Sequence, residues 1–168
     1  MYPGNSKHDK LSPSGQDADM TLVRQSTTLH GGCHCSKVQV EFTTSLDLGG
    51  TNPRACDCSF CQKHGAAYIS DPSGTLRIIA AEPGALHSYR QGSELARFQL
   101  CGQCGVLVAV IFEHNGNTYG AVNVGCLDER SLLGVSVPAS PQQLSPQEKI
   151  SRWLQVWVPR VQLVISGA

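Results

Sequence analysis

Eight cysteines in a 168-residue chain constrain this protein more than any other feature of its sequence. Seven of them cluster in the segments GGCHC, ACDCSFCQKHG and CGQCGVL, and one stands apart: Cys33, Cys35, Cys56, Cys58, Cys61, Cys101, Cys104 and Cys126. Clustered cysteines form disulfide frameworks in secreted proteins and bind metal ions in reducing compartments. The compartment therefore decides how the groups are interpreted.

The N-terminus and the overall charge indicate the compartment and the partners. The first twenty residues contain no apolar run of the kind found in a signal peptide, so we expect a cytoplasmic protein whose cysteines bind metal. Lysine plus arginine and aspartate plus glutamate are both 13, which favours neither nucleic acid nor an anionic membrane as a partner. No apolar run approaches the roughly 20 residues of a membrane helix, so we expect no membrane partner.

Turn residues and apolar alternation indicate the fold class. Residues 1–27 are rich in Ser, Gly, Pro, Asp and Lys and are predicted to form a flexible tail, while residues 28–168 are predicted to form a single domain with a C-terminal helical extension. The segment KVQVEFTT alternates with period two and predicts a strand over Lys37–Thr44. Several further short apolar stretches are separated by Gly, Pro, Asn or Ser. We therefore predict a mainly β domain of short antiparallel strands.

One or two short helices are expected near the C-terminus. Ser145 and Glu148 form a capping-box pattern, and Pro146 occupies the first helical position, which predicts a helix of about ten residues. The apolar residues that follow include both tryptophans, Trp153 and Trp157, on one helical stripe. Asp128 is the predicted N-cap of a second helical segment, ERSLL.

The first and last cysteine groups supply the ligands of one closed metal site. Cys33 and Cys35 enter a strand, where residues i and i+2 of an extended chain point to the same side. Cys101 and Cys104 form a C-x-x-C knuckle whose flanking glycines permit a tight turn with positive φ. Four thiolates in a tetrahedron are the ligand set of a structural zinc, whose binding contributes to folding.

This partition leaves Cys56, Cys58 and Cys61 as a separate site. Three thiolates around a zinc ion leave a fourth position open, and an open position distinguishes a catalytic zinc from a structural one. Because zinc keeps a bound thiol deprotonated at neutral pH, an external thiol can bind there as the thiolate. The spacing therefore predicts thiol chemistry, with these three cysteines as the catalytic residues.

Other interpretations of the same residues stay open. The triplet can instead supply only two ligands to a single mixed site. His64 is a further candidate, either as a metal ligand or as a group that lines the substrate site. Cys126 can complete the triplet, although its apolar neighbours favour a buried, inert thiol. The alternation of strand side chains places His34 at the surface.

Four segments together resemble the glutathione-dependent formaldehyde-activating enzyme family, which also includes centromere protein V. They are GGCHCSKVQVEF, CDCSFCQKHG, FQLCGQCGVLV and VNVGCLDERSL, and the resemblance extends from Leu29 to Leu133. It implies a zinc-stabilised, suppressor-of-Sec-four-like β-tent with two zinc ions per chain, one on the four-cysteine set and one on the triplet. Asp57 stands where many bacterial members of the family carry a histidine.

The resemblance also implies an activity. The family is named for joining glutathione and formaldehyde into S-hydroxymethylglutathione, which is carbon–sulfur lyase chemistry. We therefore hypothesise a zinc-dependent enzyme that acts on the adduct of a small thiol such as glutathione with a small carbonyl. The alternative is a non-enzymatic module that binds a protein partner and in which both metals are structural, since function belongs to the site and not to the fold. A methionine sulfoxide reductase of similar fold would need a lone redox cysteine, for which Cys126 is poorly suited.

Overall fold

A computed structural model describes residues 25–166 of the chain. Most of the predicted tail of residues 1–27 therefore lies outside the described residues, and the first strand begins at Thr27. No helix within the described range has the length and apolar character needed to cross a membrane.

The regular structure of the described residues is mostly β. The strands are β1 (Thr27–Gly32), β2 (Val38–Thr44), β3 (Arg54–Cys56), β4 (Ala67–Ile69), β5 (Thr75–Ala80), β6 (Leu86–Tyr89), β7 (Arg97–Cys101), β8 (Leu107–His114), β9 (Asn117–Asn123), β10 (Val137–Ala139) and β11 (Val161–Ile165). The helices are α1 (Ser59–Lys63) and α2 (Pro146–Val156), and short 3₁₀ turns follow β9 and β10. The predicted mainly β class, with short helical segments near the C-terminus, is confirmed.

The strands form two sheets. One has four strands in the order β1-β2-β5-β11, and the other has seven in the order β10-β3-β4-β9-β8-β7-β6. Most neighbouring strands are antiparallel, as predicted, but β10 pairs in parallel with β3, and β11 with β5. Both parallel strands belong to the C-terminal part of the chain, which returns to the sheets through long connections.

The seven-stranded sheet has a hydrophobic core on each face. In β8, Ile111 packs toward the four-stranded sheet, whereas Val110 and Phe112 pack toward α2. All six residues from Leu107 to Phe112 are buried, because neither face of this strand meets water. In β2, by contrast, buried positions alternate with more exposed ones, as the sequence predicts, and the strand begins one residue later than predicted.

The two predicted helix starts have different outcomes. The Ser145 side chain accepts a hydrogen bond from Glu148 N, and the Glu148 carboxylate accepts one from Ser145 N, so the predicted capping box of α2 is confirmed. The predicted Asp128 cap is wrong. Asp128 N donates to His30 O, which ties this segment to β1, and only a 3₁₀ turn over Arg130–Leu132 follows.

Candidate functional site

The four cysteines of the first and last groups come together at the border of the core between the sheets, where two are buried and two are half-buried. Their sulfur atoms all lie within 4.8 Å of one another: Cys33, Cys35, Cys101 and Cys104. Cys35 Sγ lies 3.6 Å from Cys33 Sγ and 3.5 Å from Cys101 Sγ. The two sulfur atoms of a disulfide lie about 2.05 Å apart. Thiolates around a tetrahedral zinc, with Zn–S bonds of about 2.3 Å, lie about 3.8 Å from one another. The cluster therefore has the dimensions of a metal site.

The C-x-C half of this cluster is built by a turn. Residues 33–37 connect β1 to β2, and Ser36, with φ 61°, donates from its backbone N to Cys33 O. Val38 N donates to Cys33 Sγ at 3.2 Å. The expectation that both cysteines enter a strand is wrong, because the curvature of the turn brings the two sulfurs together.

The C-x-x-C half follows the predicted glycine pattern. Gly105 has φ 74°, and Cys104 N lies 3.5 Å from Cys101 Sγ. Gly102 serves a different purpose, since a Cβ at this position would lie 2.7 Å from the carbonyl oxygen of Gly84. The knuckle thus depends on one glycine for its backbone conformation and on the other for close packing.

The triplet forms a second cluster on the opposite face of the seven-stranded sheet. Cys56 ends β3, Cys58 precedes α1 and accepts a hydrogen bond from Cys61 N at 3.4 Å, and Cys61 lies within α1. The three sulfur atoms lie within 4.8 Å of one another. Two side chains from outside the segment reach them: Tyr68 OH lies 3.3 Å from Cys61 Sγ, and Gln91 Nε2 lies 3.6 Å from Cys58 Sγ. The interpretation with a single mixed site is wrong, because each cluster belongs to a different core.

Burial and hydrogen bonding shift the pKa values of Cys56, Cys61 and the neighbouring Tyr68. A hydrogen bond from Cys61 stabilises the Cys56 thiolate against the cost of burial and lowers the pKa of Cys56 to about 6. The same hydrogen bond, together with burial, raises the pKa of Cys61. Burial also raises the pKa of Tyr68, so its hydroxyl keeps its proton and can donate to a cysteine sulfur.

A cavity of about 440 Å³ opens beside the triplet, and Cys56 and Cys61 form part of its lining. Aromatic side chains from the sheet and from α2 make up much of the wall: Tyr68, Phe98, Trp153 and Trp157. The segment of residues 137–141, which contains β10, closes another side. Two arginines, Arg54 and Arg152, also line the cavity. Burial, followed by the positive charge of Arg152, lowers the pKa of Arg54.

Asp57 fastens the triplet loop to the cavity wall. Its Oδ2 accepts a hydrogen bond from Ser140 Oγ at 2.5 Å, and its backbone N donates to Ala139 O at 3.0 Å. The other carboxylate oxygen, Oδ1, is buried without a hydrogen-bond partner among the described residues. This chain therefore uses a carboxylate between Cys56 and Cys58 to hold β10 in place.

The remaining candidates lie away from the triplet. His64 is exposed, and its ring packs on Phe60 with centroids 4.6 Å apart, outside the cluster. His34 is exposed, as predicted. Cys126 is buried beside the four-cysteine cluster, donates to Asn123 O at 3.0 Å, and has its pKa raised to about 12 by burial. The expectation that Cys126 is buried is confirmed, and its raised pKa disfavours the reactive thiolate.

Several residues of this site are missing from the sequence predictions. Tyr68 and Arg54 are Cα partners in the β3–β4 pair, so their side chains share a face of the sheet. Arg152 comes from α2, which packs on the same side. Nothing local to these residues marks them, because their proximity depends on strand register and on the docking of a distant helix.

Comparison with known proteins gives two findings. The sequence model of the family described as "Glutathione-dependent formaldehyde-activating enzyme" matches residues 28–153. The match extends beyond Leu133, where the resemblance seen in the motifs ends, and reaches into α2. A crystal structure of a Rhodobacter sphaeroides protein shares 30% sequence identity, covers 64% of this chain and 99% of that one, and superposes with a TM-score of 0.47.

Proposed function

This chain belongs to the glutathione-dependent formaldehyde-activating enzyme family, and on that premise we propose that it joins a glutathione-like thiol to a small carbonyl such as formaldehyde. A bond forms between the thiol sulfur and the carbonyl carbon. The electron pair of the C=O π bond moves to oxygen, which takes up the proton that the thiol loses. The reverse reaction cleaves the same carbon–sulfur bond, which is the lyase direction.

One observation carries the proposal: the cluster with three cysteines borders a cavity large enough for a small ligand. Cys56 and Cys61 line it, and the rest of the wall is mostly apolar and aromatic. Binding pockets for small molecules are typically apolar cavities of this size with a few polar groups at defined positions. A substrate sulfur at the triplet would leave the rest of the molecule inside this cavity.

The donor sets of both clusters fit zinc. Thiolates are soft ligands that suit Zn²⁺, and the sulfur spacings match tetrahedral coordination. The four-cysteine cluster would hold a structural ion, and the triplet would hold a second one with a position left open. When bound at the triplet, zinc supplies positive charge that keeps a substrate thiol in its thiolate form.

The chain's own residues orient this site. Tyr68 OH and Gln91 Nε2 lie within hydrogen-bonding distance of two of the triplet sulfurs, an arrangement that fixes the ligands and stabilises their negative charge. The aromatic wall lowers the polarity around the triplet, which strengthens electrostatic interactions inside the cavity.

The test is the reaction itself. Purified, zinc-replete protein is mixed with glutathione and formaldehyde, and formation of S-hydroxymethylglutathione is followed by exchange NMR against the spontaneous rate. We expect acceleration that disappears in Cys58→Ser and persists in His64→Ala, whose side chain lies outside the cluster and the cavity lining. A rate equal to the spontaneous rate at every protein concentration would contradict the proposed activity.

A second candidate is a non-enzymatic module in which both metals are structural. The observation that favours it is the burial of the triplet: Cys58 and Cys61 are 8% and 0% exposed and belong to the core formed with α2. The two candidates differ in what the loss of one triplet cysteine does to folding, and that difference provides a direct test.

A further inference from the structure

We propose that Arg54 and Arg152 form a carboxylate-binding subsite in the cavity beside the triplet, so that the thiol substrate is an anion carrying a carboxylate. The inference rests on the proposed function for the role of the sulfur, but the subsite itself stands on the geometry of the two arginines. Arg54 and Arg152 would bind the carboxylate end of the substrate, while the triplet would bind its thiol end.

Two guanidinium groups share this cavity without an acidic partner. Both line it, and none of the ion pairs among residues 25–166 includes either of them. Among residues 25–166, no aspartate or glutamate lines the cavity. Glu148, one turn before Arg152 on α2, is engaged with Ser145 in the capping box. Like charges that face one apolar cavity repel each other, and a bound anion relieves that repulsion.

Arg54 is held in place while most of its donors remain available. Its Nη2 donates to Ser70 Oγ at 2.6 Å, and Ser70 Oγ donates to Val156 O at 2.5 Å, at the end of α2. A guanidinium carries five N–H donors, so this one hydrogen bond leaves a face free to bind a carboxylate through two parallel bonds. The arrangement orients the group before any ligand arrives, which reduces the entropic cost of binding.

The same lining determines the class of ligand. Within this cavity, a carboxylate can bind the two arginines, and an apolar group can pack against the aromatic wall. No acidic side chain among the described residues lines the cavity to bind a substrate ammonium. The arrangement fits a mercaptocarboxylate whose carboxylate lies in the cavity beside the two arginines. For a larger thiol such as glutathione, one carboxylate would occupy the subsite and the ammonium would face solvent.

The subsite can be tested without any sulfur in the ligand. Both tryptophans of the chain, Trp153 and Trp157, line the cavity, so intrinsic fluorescence reports directly on its occupancy. Titration with hexanoate and with the isosteric neutral hexanamide isolates the contribution of the carboxylate. We expect hexanoate to bind at least about tenfold more tightly, the ratio typical of one charge-assisted hydrogen-bond pair.

Matched variants assign the effect to the arginines. Arg152 is exposed at one side, so Arg152→Gln is expected to fold and to bring hexanoate affinity close to that of hexanamide. Lys149→Gln removes a charge from the same helix outside the cavity lining and should leave both affinities unchanged. Arg54→Lys keeps the charge but loses the planar fork, and should retain part of the preference. Equal affinities for hexanoate and hexanamide in the wild type would overturn the subsite.

A second pair of ligands separates the subsite from the proposed function. N-acetylcysteine and N-acetylcysteamine carry the same thiol and differ by one carboxylate. If both bind equally well and Arg152→Gln changes neither, the subsite is wrong while the thiol site stands. If N-acetylcysteamine does not bind and hexanoate still binds in an Arg152-dependent manner, the proposed function fails while the subsite stands.

Discussion

Tyr68 shows how a single side chain can support the triplet without belonging to it. It is 6% exposed and lies in β4, with its hydroxyl 3.3 Å from Cys61 Sγ. Because burial raises the pKa of Tyr68, the phenol stays neutral at physiological pH and acts as a donor. Donors of this kind orient a ligand and stabilise its charge, and their removal typically lowers metal affinity about 10–100-fold.

We therefore expect Tyr68→Phe to weaken zinc binding at the triplet by about tenfold. The ring stays in place, so the melting temperature should change little. Competition with a chromophoric chelator measures the affinity, and Tyr119→Phe, a tyrosine of β9 outside the cavity lining, provides the control. Equal zinc affinity in Tyr68→Phe and wild type would mean that the tyrosine hydroxyl does not support the cluster.

Asp57 is a second single side chain that supports the site, and it acts on the cavity wall rather than on a cysteine sulfur. Its hydrogen bond from Ser140 Oγ joins the triplet loop to the segment that walls the cavity. A residue between two candidate metal ligands would ordinarily be judged by its distance to the metal. The hydrogen bond from Ser140 is more informative, because it holds the segment that bounds the space available to a ligand.

Among the secondary-structure elements, α2 supplies both aromatic and charged side chains to the cavity. It begins at the Ser145 capping box, and Arg152 and Trp153 on the helix, together with Trp157 at its end, line the cavity. The two tryptophan rings stack with centroids 4.7 Å apart, and both contact Phe112 of β8. The helix is therefore both a cover for the second core and one wall of the candidate site.

Loss of the cap should destabilise this element measurably. Ser145→Ala removes the side-chain acceptor for Glu148 N, and we expect a loss of about 1 kcal/mol in the free energy of unfolding. Urea denaturation of the metal-saturated protein, followed by tryptophan fluorescence, provides the measurement. Ser151→Ala, at an exposed position within the same helix, is the matched control and should be neutral or slightly stabilising. A similar loss in both variants would contradict a specific capping effect.

At the scale of the whole molecule, the two cysteine clusters lie on opposite faces of one sheet. The four-cysteine cluster joins the β1–β2 turn to the end of β7, elements that are distant in sequence, within the core between the sheets. The triplet is local to one loop and one short helix and packs in the other core. An ion bound at the first site would crosslink distant parts of the chain, whereas an ion bound at the second would join only neighbouring residues.

This difference predicts unequal effects of cysteine substitution. Cys101→Ser should yield unfolded or insoluble protein, because zinc binding to a four-thiolate site supplies about 10–16 kcal/mol, as much as the entire stability of a typical domain. Cys58→Ser should stay folded and contain about one zinc ion fewer per chain. Elemental analysis and thermal melts measure both quantities.

Cys126→Ser provides the control, since it alters a buried thiol that belongs to neither cluster. It should keep the full zinc content at a modest cost in stability. If Cys58→Ser unfolds the protein as severely as Cys101→Ser does, the triplet is structural, and the non-enzymatic module becomes the better account.

Local chemistry made much of this molecule predictable. Short segments were enough to predict the cysteine groups, the alternation in β2 and the capping box at Ser145. Ligand type, side-chain alternation and helix capping all depend on residues that are close in sequence. The same local reasoning misjudged the C-x-C pair, whose sulfurs converge through a turn that begins at Cys33. It also misjudged Asp128, whose backbone is tied to β1.

Only the tertiary structure decided what surrounds the triplet. Arg54 and Tyr68 share a face through strand register, β10 returns to pair in parallel with β3, and Arg152 arrives on a helix from the end of the chain. The contacts of β10 and of Arg152 each close a long loop, and their partners are selected by the packing of whole elements. The sequence therefore determined the cysteines that can bind metal, while the packing of sheets and helix determined the cavity and the charges that a substrate would meet there.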